Sequence, residues 1–119
     1  GLVAITPAAG FVSVGQSLFI GFASAVISNE SVRLFNKRGA IDDTLDVFPC
    51  HGVGGIAGML FTGIFAQGVG LFYGQTATFF NHLIGLAVVS VFTFGASYLL
   101  LMLTDKISPL RVSADEERT

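Results

Sequence analysis

Between Arg38 and Lys106 the chain has no lysine or arginine, and its acids there are confined to Asp42, Asp43, Asp46 and Asp105. A stretch of that length with so little charge cannot supply the polar surface of a water-soluble domain. It divides instead into apolar runs long enough to cross a bilayer, which confines the fold to an all-α, polytopic transmembrane helical bundle. Composition points the same way, with 52% hydrophobic and 12% charged residues and a mean hydropathy of +0.76. The apolar runs are far longer than the alternating segments of about ten residues that β-barrels use.

The runs fall at residues 14–34, 46–66 and 76–104. The second covers roughly 30 Å at a rise of 1.5 Å per residue, about the thickness of the hydrocarbon core. The third is longer than a perpendicular crossing needs, and tilt accommodates the excess. Residues 1–12 are too short to span alone; the Thr6-Pro7 step and Gly10 suggest the broken end of a helix that begins before Gly1. The expectation is therefore a fragment with three crossings and part of a fourth, followed by a tail at residues 105–119.

Charge placement orients these spans. Arg33, Lys37 and Arg38 lie at or beside the loop over residues 35–44, Lys106, Arg111 and Arg118 follow the last apolar run, and the loop over residues 67–75 has no charge. The first loop and the tail are expected on the cytoplasmic side and the uncharged loop outside, an alternation that agrees with the span count. The net charge of −2 and the absence of a basic stripe give no nucleic-acid footprint.

Asp46 and His51 place an acid and an imidazole in the second apolar span, where polar groups are costly and usually face protein or a cavity. On a regular helix Val47, His51, Gly54 or Gly55, Gly58 and Thr62 share one face, narrow and poor in side chains. A wall of glycines beside one histidine leaves room for something small, although the small-xxx-small pair Gly54/Gly58 also suits close helix packing. Asp46 lies roughly 140° from His51 around the helix, so the two do not stack. With Pro49 three residues later, Asp46 suits an N-cap. His51 is either satisfied by a backbone carbonyl or functional; imidazole can donate and accept near neutral pH, and intramembrane cost favours function.

Cys50 and His51 diverge by about 100° on a helix, which prevents a nucleophile–base dyad. No catalytic triad, metal-ligand spacing or phosphate-cradling loop is present, so no enzyme, metal or cofactor is expected. The single cysteine excludes an intrachain disulfide. His82, beside Asn81 near the expected interface, reads as structural.

The run Asp46-Val47-Phe48-Pro49-Cys50-His51-Gly52-Val53-Gly54-Gly55-Ile56-Ala57-Gly58, continuing to Thr62-Gly63-Ile64-Phe65-Ala66, closely resembles the tenth-helix signature of ammonium transporters of the Amt/Mep/Rh superfamily. The opening Gly1-Leu2-Val3-Ala4-Ile5-Thr6-Pro7-Ala8-Ala9-Gly10-Phe11-Val12 resembles the end of that family's eighth helix. The resemblance extends through the chain and is bacterial or archaeal Amt-like rather than Rh-like.

It implies a plasma-membrane homotrimer with one narrow hydrophobic pore per subunit. There ammonium loses its proton and ammonia passes two hydrogen-bonded histidines. His51 matches the second of that pair, whose partner lies on the fifth helix; Val47 matches an apolar pore-lining position one turn below; Asp46 matches the acid at the helix start. Thr6 matches a hydroxyl-bearing position, for which satisfaction by backbone beside Pro7 is an equal reading. The resemblance also implies seven helices upstream and a regulatory stretch beyond the tail, where a P-II-type signalling protein would act at the cytoplasmic face. Two other outputs stay open: an Amt-like ammonium sensor signalling through its cytoplasmic face, and a helix-bundle scaffold without a substrate.

Overall fold

The computed structural model describes residues 1–38 and 43–111. Positions 39–42 of the expected first loop, with Asp42, and positions 112–119 of the tail, with Arg118, lie outside the described residues. Every regular element among the described residues is helical. In order these are α1 (Leu2–Ile5) with a 3₁₀ turn (Thr6–Ala8), α2 (Val14–Arg38), a π-helical turn (Phe48–Val53) leading into α3 (Gly54–Phe65), a second 3₁₀ turn (Leu71–Tyr73), and α4 (Ala77–Ile107). Three helical stretches, Val14–Lys37, Phe48–Phe65 and Ala77–Ile107, are long and apolar enough to cross a membrane.

A reciprocal capping box starts α2. The Ser13 hydroxyl accepts the Gln16 N–H at 3.3 Å, and Gln16 Oε1 accepts the Ser13 N–H at 2.8 Å, so two amide donors at the helix entry are satisfied. The helix runs one turn beyond the apolar limit read at residue 34. Its last turns are built from good helix formers, and the Glu30 carboxylate accepts from Arg33 at 2.9 Å one turn away.

Residues 1–86 form one compact unit and the chain from residue 87 onward a second. In the first, the core is made of small side chains: Ala4, Ala8, Ala57, Ala66, Ser24, Ser28 and Thr62 are buried, with Ile20 the largest apolar group among them. Small residues let helix backbones approach closely, which is how helices associate where water provides no hydrophobic drive between them. Gly58 of α3 lies directly on the Ala4 backbone of α1, and a Cβ at Gly58 would stand 2.7 Å from the Ala4 Cα. At Gly54 a Cβ would lie 3.2 Å from the Ser28 hydroxyl of α2. Gly63 meets the start of α4, where a Cβ would lie 3.1 Å from the Phe79 Cα.

Aromatic rings close one end of this packing. Phe19 of α2 meets Phe61 and Phe65 of α3 edge-on, at 6.1 and 5.6 Å between ring centroids, and Phe65 reaches Phe72 at 6.0 Å. The uncharged loop is tied to the same end, because the Gln67 N–H donates to the Phe11 carbonyl at 2.7 Å and Gln16 Nε2 donates to the Tyr73 hydroxyl at 3.3 Å.

The second unit is, in its described part, the remainder of α4 and the turn after it. No residue of α4 is buried. Its 31 residues correspond to roughly 46 Å of helix, more than the hydrocarbon core requires. The Asp105 carboxylate accepts the Leu110 N–H at 2.9 Å and so ends the helix beside Pro109. Some hydroxyls within the spans are satisfied locally, as in Thr62 to the Gly58 carbonyl at 2.8 Å and Thr104 to the Leu100 carbonyl at 2.9 Å.

The contact at Gly58 makes a direct prediction. In the intact protein, purified in detergent, Gly58→Ala lowers the melting temperature, equivalent to about 1–3 kcal/mol from forcing α1 and α3 apart. Gly21→Ala, whose added methyl meets nothing within 4 Å, shifts stability by less than about 1 kcal/mol. Melting curves followed by tryptophan-free thiol-dye or circular-dichroism detection measure both.

Candidate functional site around His51

His51 sits in the π-helical turn Phe48–Val53, one turn before α3. The turn is approached through a tight reversal, in which the Asp46 N–H donates to the Asp43 carbonyl at 3.1 Å. Asp46 then takes φ +52°, the left-handed region, and is the one non-glycine residue with positive φ among those described. Asp and Asn tolerate this region better than other non-glycine residues because their short polar side chains bond locally.

This backbone overturns the expectation that Asp46 is the N-cap. A capping residue has β-region dihedrals, which bring its side-chain oxygen over the free amides that follow; the left-handed Asp46 does not. Asp43 takes the task instead. The reversal carries its carboxylate over the start of the helix, where Oδ1 accepts the Val47 N–H at 2.8 Å and Oδ2 accepts the Phe48 N–H at 2.7 Å. Asp46 contributes through its backbone, its carbonyl accepting the Cys50 N–H at 3.0 Å. Sequence reasoning passed over Asp43; the signal was two acids within four residues ahead of an apolar run, and only the backbone dihedrals choose between them.

Pro49, buried at the second position of the turn, has no N–H to donate, and a wide turn with i→i+5 bonding forms around it. Such a turn displaces the following helix register by about one residue, or roughly 100°. The single face expected through Val47, His51, Gly54, Gly58 and Thr62 is therefore divided. Gly54, Gly58 and Thr62 are buried against α1 and α2, while His51 is exposed and Val47 is 50% exposed. Gly55, where an added Cβ would meet nothing within 4 Å, continues the uncovered side. Gly54 and Gly58 thus serve helix packing, and Val47, His51 and Gly55 are left clear of it.

A second restraint holds the turn. The Phe48 ring lies over Gly52, where a Cβ would come within 3.0 Å of it, and meets the Phe35 ring of α2 edge-on at 5.3 Å. His51 is thus flanked by a clamped amide pair on one side and by a glycine under an aromatic ring on the other. Cys50 next to it is a free, exposed thiol.

The other candidates are placed elsewhere. The Thr6 hydroxyl donates to the Leu2 carbonyl at 3.0 Å, satisfied by backbone one turn back. His82 Nδ1 is hydrogen-bonded to the Thr78 carbonyl at 2.8 Å within α4. Among the described residues, no three His, Cys, Asp or Glu side chains gather in a way that could hold a metal ion.

The left-handed Asp46 gives a prediction for the turn itself. Asp46→Gly leaves the melting temperature of the intact protein within about 1 kcal/mol of the parent, since glycine adopts this φ freely. Asp46→Val destabilises it by about 1–3 kcal/mol, because a β-branched residue is strained there. Equal melting of the two variants would be incompatible with the reversal described.

A family model described as Ammonium Transporter Family matches residues 1–119. The chain is similar to a protein of Methanothermobacter thermautotrophicus, 43% identical over 125 residues, a match covering 98% of this chain and 31% of that protein. It is also similar to the ammonium transporter of Bacillus subtilis, 36% identical with 98% and 31% covered, and to that of Aquifex aeolicus, 38% identical with 98% and 29% covered. The chain spans about a third of the length of these curated relatives.

Proposed function

The chain belongs to the ammonium transporter family, and from that premise we propose that the intact protein carries ammonium across the plasma membrane, with His51 as one member of a pore-lining histidine pair. The observation that carries the reading is the division of the second span: one side of the π-turn and α3 packs against α1 and α2, and His51, Val47 and Gly55 remain on the other. Upstream helices of the intact protein complete the pore along that free side.

The chemistry suits a route that separates the proton from the nitrogen. A bare ammonium ion entering an apolar tube loses its hydration at large cost, whereas neutral ammonia loses far less. His51 gives ammonia a hydrogen-bond partner inside the span, and paired with a second imidazole it gives the released proton a path. Val47 keeps the adjacent pore wall apolar. The glycines Gly54 and Gly58 hold the helix against its neighbours, and Gly55 keeps the wall beside His51 thin. The output is transport and not bond-making chemistry on a substrate.

The proposal extends to setting and assembly. The loop after α2 and the tail face the cytoplasm, supported by Arg33, Lys37, Lys106 and Arg111 at those ends and by the lack of charge in residues 67–75. The intact protein is a homotrimer in the bilayer, and the unburied α4 leaves apolar surface for lipid and neighbouring subunits. A P-II-type signalling protein is the cytoplasmic partner in this reading.

Two experiments test it. In proteoliposomes, His51→Ala in the intact protein reduces ammonium flux by at least about tenfold, the scale expected for losing one charge-capable hydrogen bond in the path; parent-level flux in that variant removes His51 from the pore. Wild-type protein without measurable flux would leave a sensing output as the reading. For orientation, a cysteine placed at Gln75 is labelled by an impermeant thiol reagent applied to whole cells, and one placed at Lys106 is labelled only after lysis. The reverse pattern inverts the topology.

A further inference from the structure

We infer that Asp43 is a positioning residue for His51: its carboxylate, by gripping the amides of Val47 and Phe48, sets the register of the π-turn and so the direction in which the imidazole is presented. The inference rests on His51 lying in the pore. Asp43 lies outside the span and does not itself line the face that carries Val47, His51 and Gly55.

The geometry is that of a clamp. Both carboxylate oxygens are used, each on a different and consecutive amide, at 2.8 and 2.7 Å. Charge-assisted bonds of this length are roughly twice as strong as neutral ones. They fall at the entry to the wide turn, where a helix has free N–H groups and no regular i→i+4 ladder has yet begun. The turn itself is intrinsically unfavourable, because π-helical bonding is rare; Pro49, in the first turn where amides lack intrahelical acceptors, adds little cost.

What keeps the turn from relaxing to a regular helix must therefore act at its two ends. Downstream, Gly54 and Gly58 are pinned by Ser28 and Ala4. Upstream, the pinning comes from Asp43, with Asp46 held in the left-handed region between clamp and turn. The Phe48 amide links the two restraints, since its N–H is held by Asp43 while its ring covers Gly52 beside His51. Release of the clamp frees the reversal, the Asp46 strain relaxes, and a register change of one residue swings His51 by roughly 100°. A misplacement of about 1 Å in a reacting or conducting group already costs on the order of a hundredfold.

The test uses the intact protein with Asp43→Ala and Asp43→Asn, and with His51→Ala as reference. Cys50, exposed within the turn, reports its geometry independently of transport: its alkylation by N-ethylmaleimide is followed by peptide mass spectrometry. Asp43→Ala is expected to change the Cys50 rate by about threefold or more in either direction, since a register shift of one residue turns the exposed thiol by roughly 100° into different surroundings. It lowers ammonium flux per assembled protein by about ten- to a hundredfold. Asp43→Asn, which keeps one acceptor oxygen, falls between Ala and the parent in both readouts, and carries the test if the alanine variant does not assemble.

A Cys50 rate within about twofold of the parent in both variants overturns the inference, because the clamp then does not hold the turn. A changed Cys50 rate with parent-level flux, in a protein whose flux His51→Ala does reduce, also overturns it while leaving the pore reading intact. Flux indifferent to His51→Ala overturns the pore reading, and this inference with it, whatever the thiol rate.

Discussion

The contact between Gly58 and the Ala4 backbone is the constraint on which the first compact unit depends. Two helices that meet backbone to backbone cannot rotate about their axes without a clash, so this contact fixes which side of α3 is covered. The Ser28 hydroxyl against Gly54 and Phe79 against Gly63 extend the same seam toward α2 and α4. In an apolar solvent, association cannot rely on expelling water and depends on such close packing. The side opposite the seam is thereby determined as well, and His51 lies there.

Several hydroxyls along the chain are satisfied locally. Thr6, Ser17, Ser31, Thr62 and Thr104 all donate to carbonyls within a turn of themselves, which removes the cost of an unpaired hydroxyl in hydrocarbon. Ser24 is different: its hydroxyl is buried with no hydrogen-bond partner among the described residues. His51 is exposed, as Thr6 and Thr104 are, but unlike those hydroxyls its side chain makes no hydrogen bond among the described residues. The span that holds His51 thus contains Thr62, which closes on its own backbone, and one imidazole that is left open.

The entrance to that helix shows how backbone and side-chain economics interact. A proline at the start of a span gives up a donor, a wide turn replaces a regular one, and an aspartate in the left-handed region redirects the chain. The wide turn and the left-handed aspartate are each unfavourable taken alone. The Asp43 carboxylate offsets them by satisfying two consecutive amides at the point where the helix has none of its own acceptors. Strain of this kind persists only where surrounding contacts over-determine it, here the Phe35–Phe48 contact and the Gly54/Gly58 seam.

Sequence alone determined the helical membrane class, because runs of apolar residues without Lys or Arg leave only hydrogen-bond-complete helices as a solution in lipid. It made His51 the functional candidate, since polar groups in such a run are costly, and the signature around it pointed to the family that the comparisons show. It did not reveal that Asp43 and not Asp46 caps the span, or that Gly54 and Gly58 turn away from His51. Helical periodicity assumes a constant 3.6 residues per turn, and the π-turn around Pro49 breaks that assumption at the position where the face is decided. Whether the turn forms depends on contacts from α1 and α2, distant in sequence, so only the tertiary structure could decide which side of the helix His51 occupies.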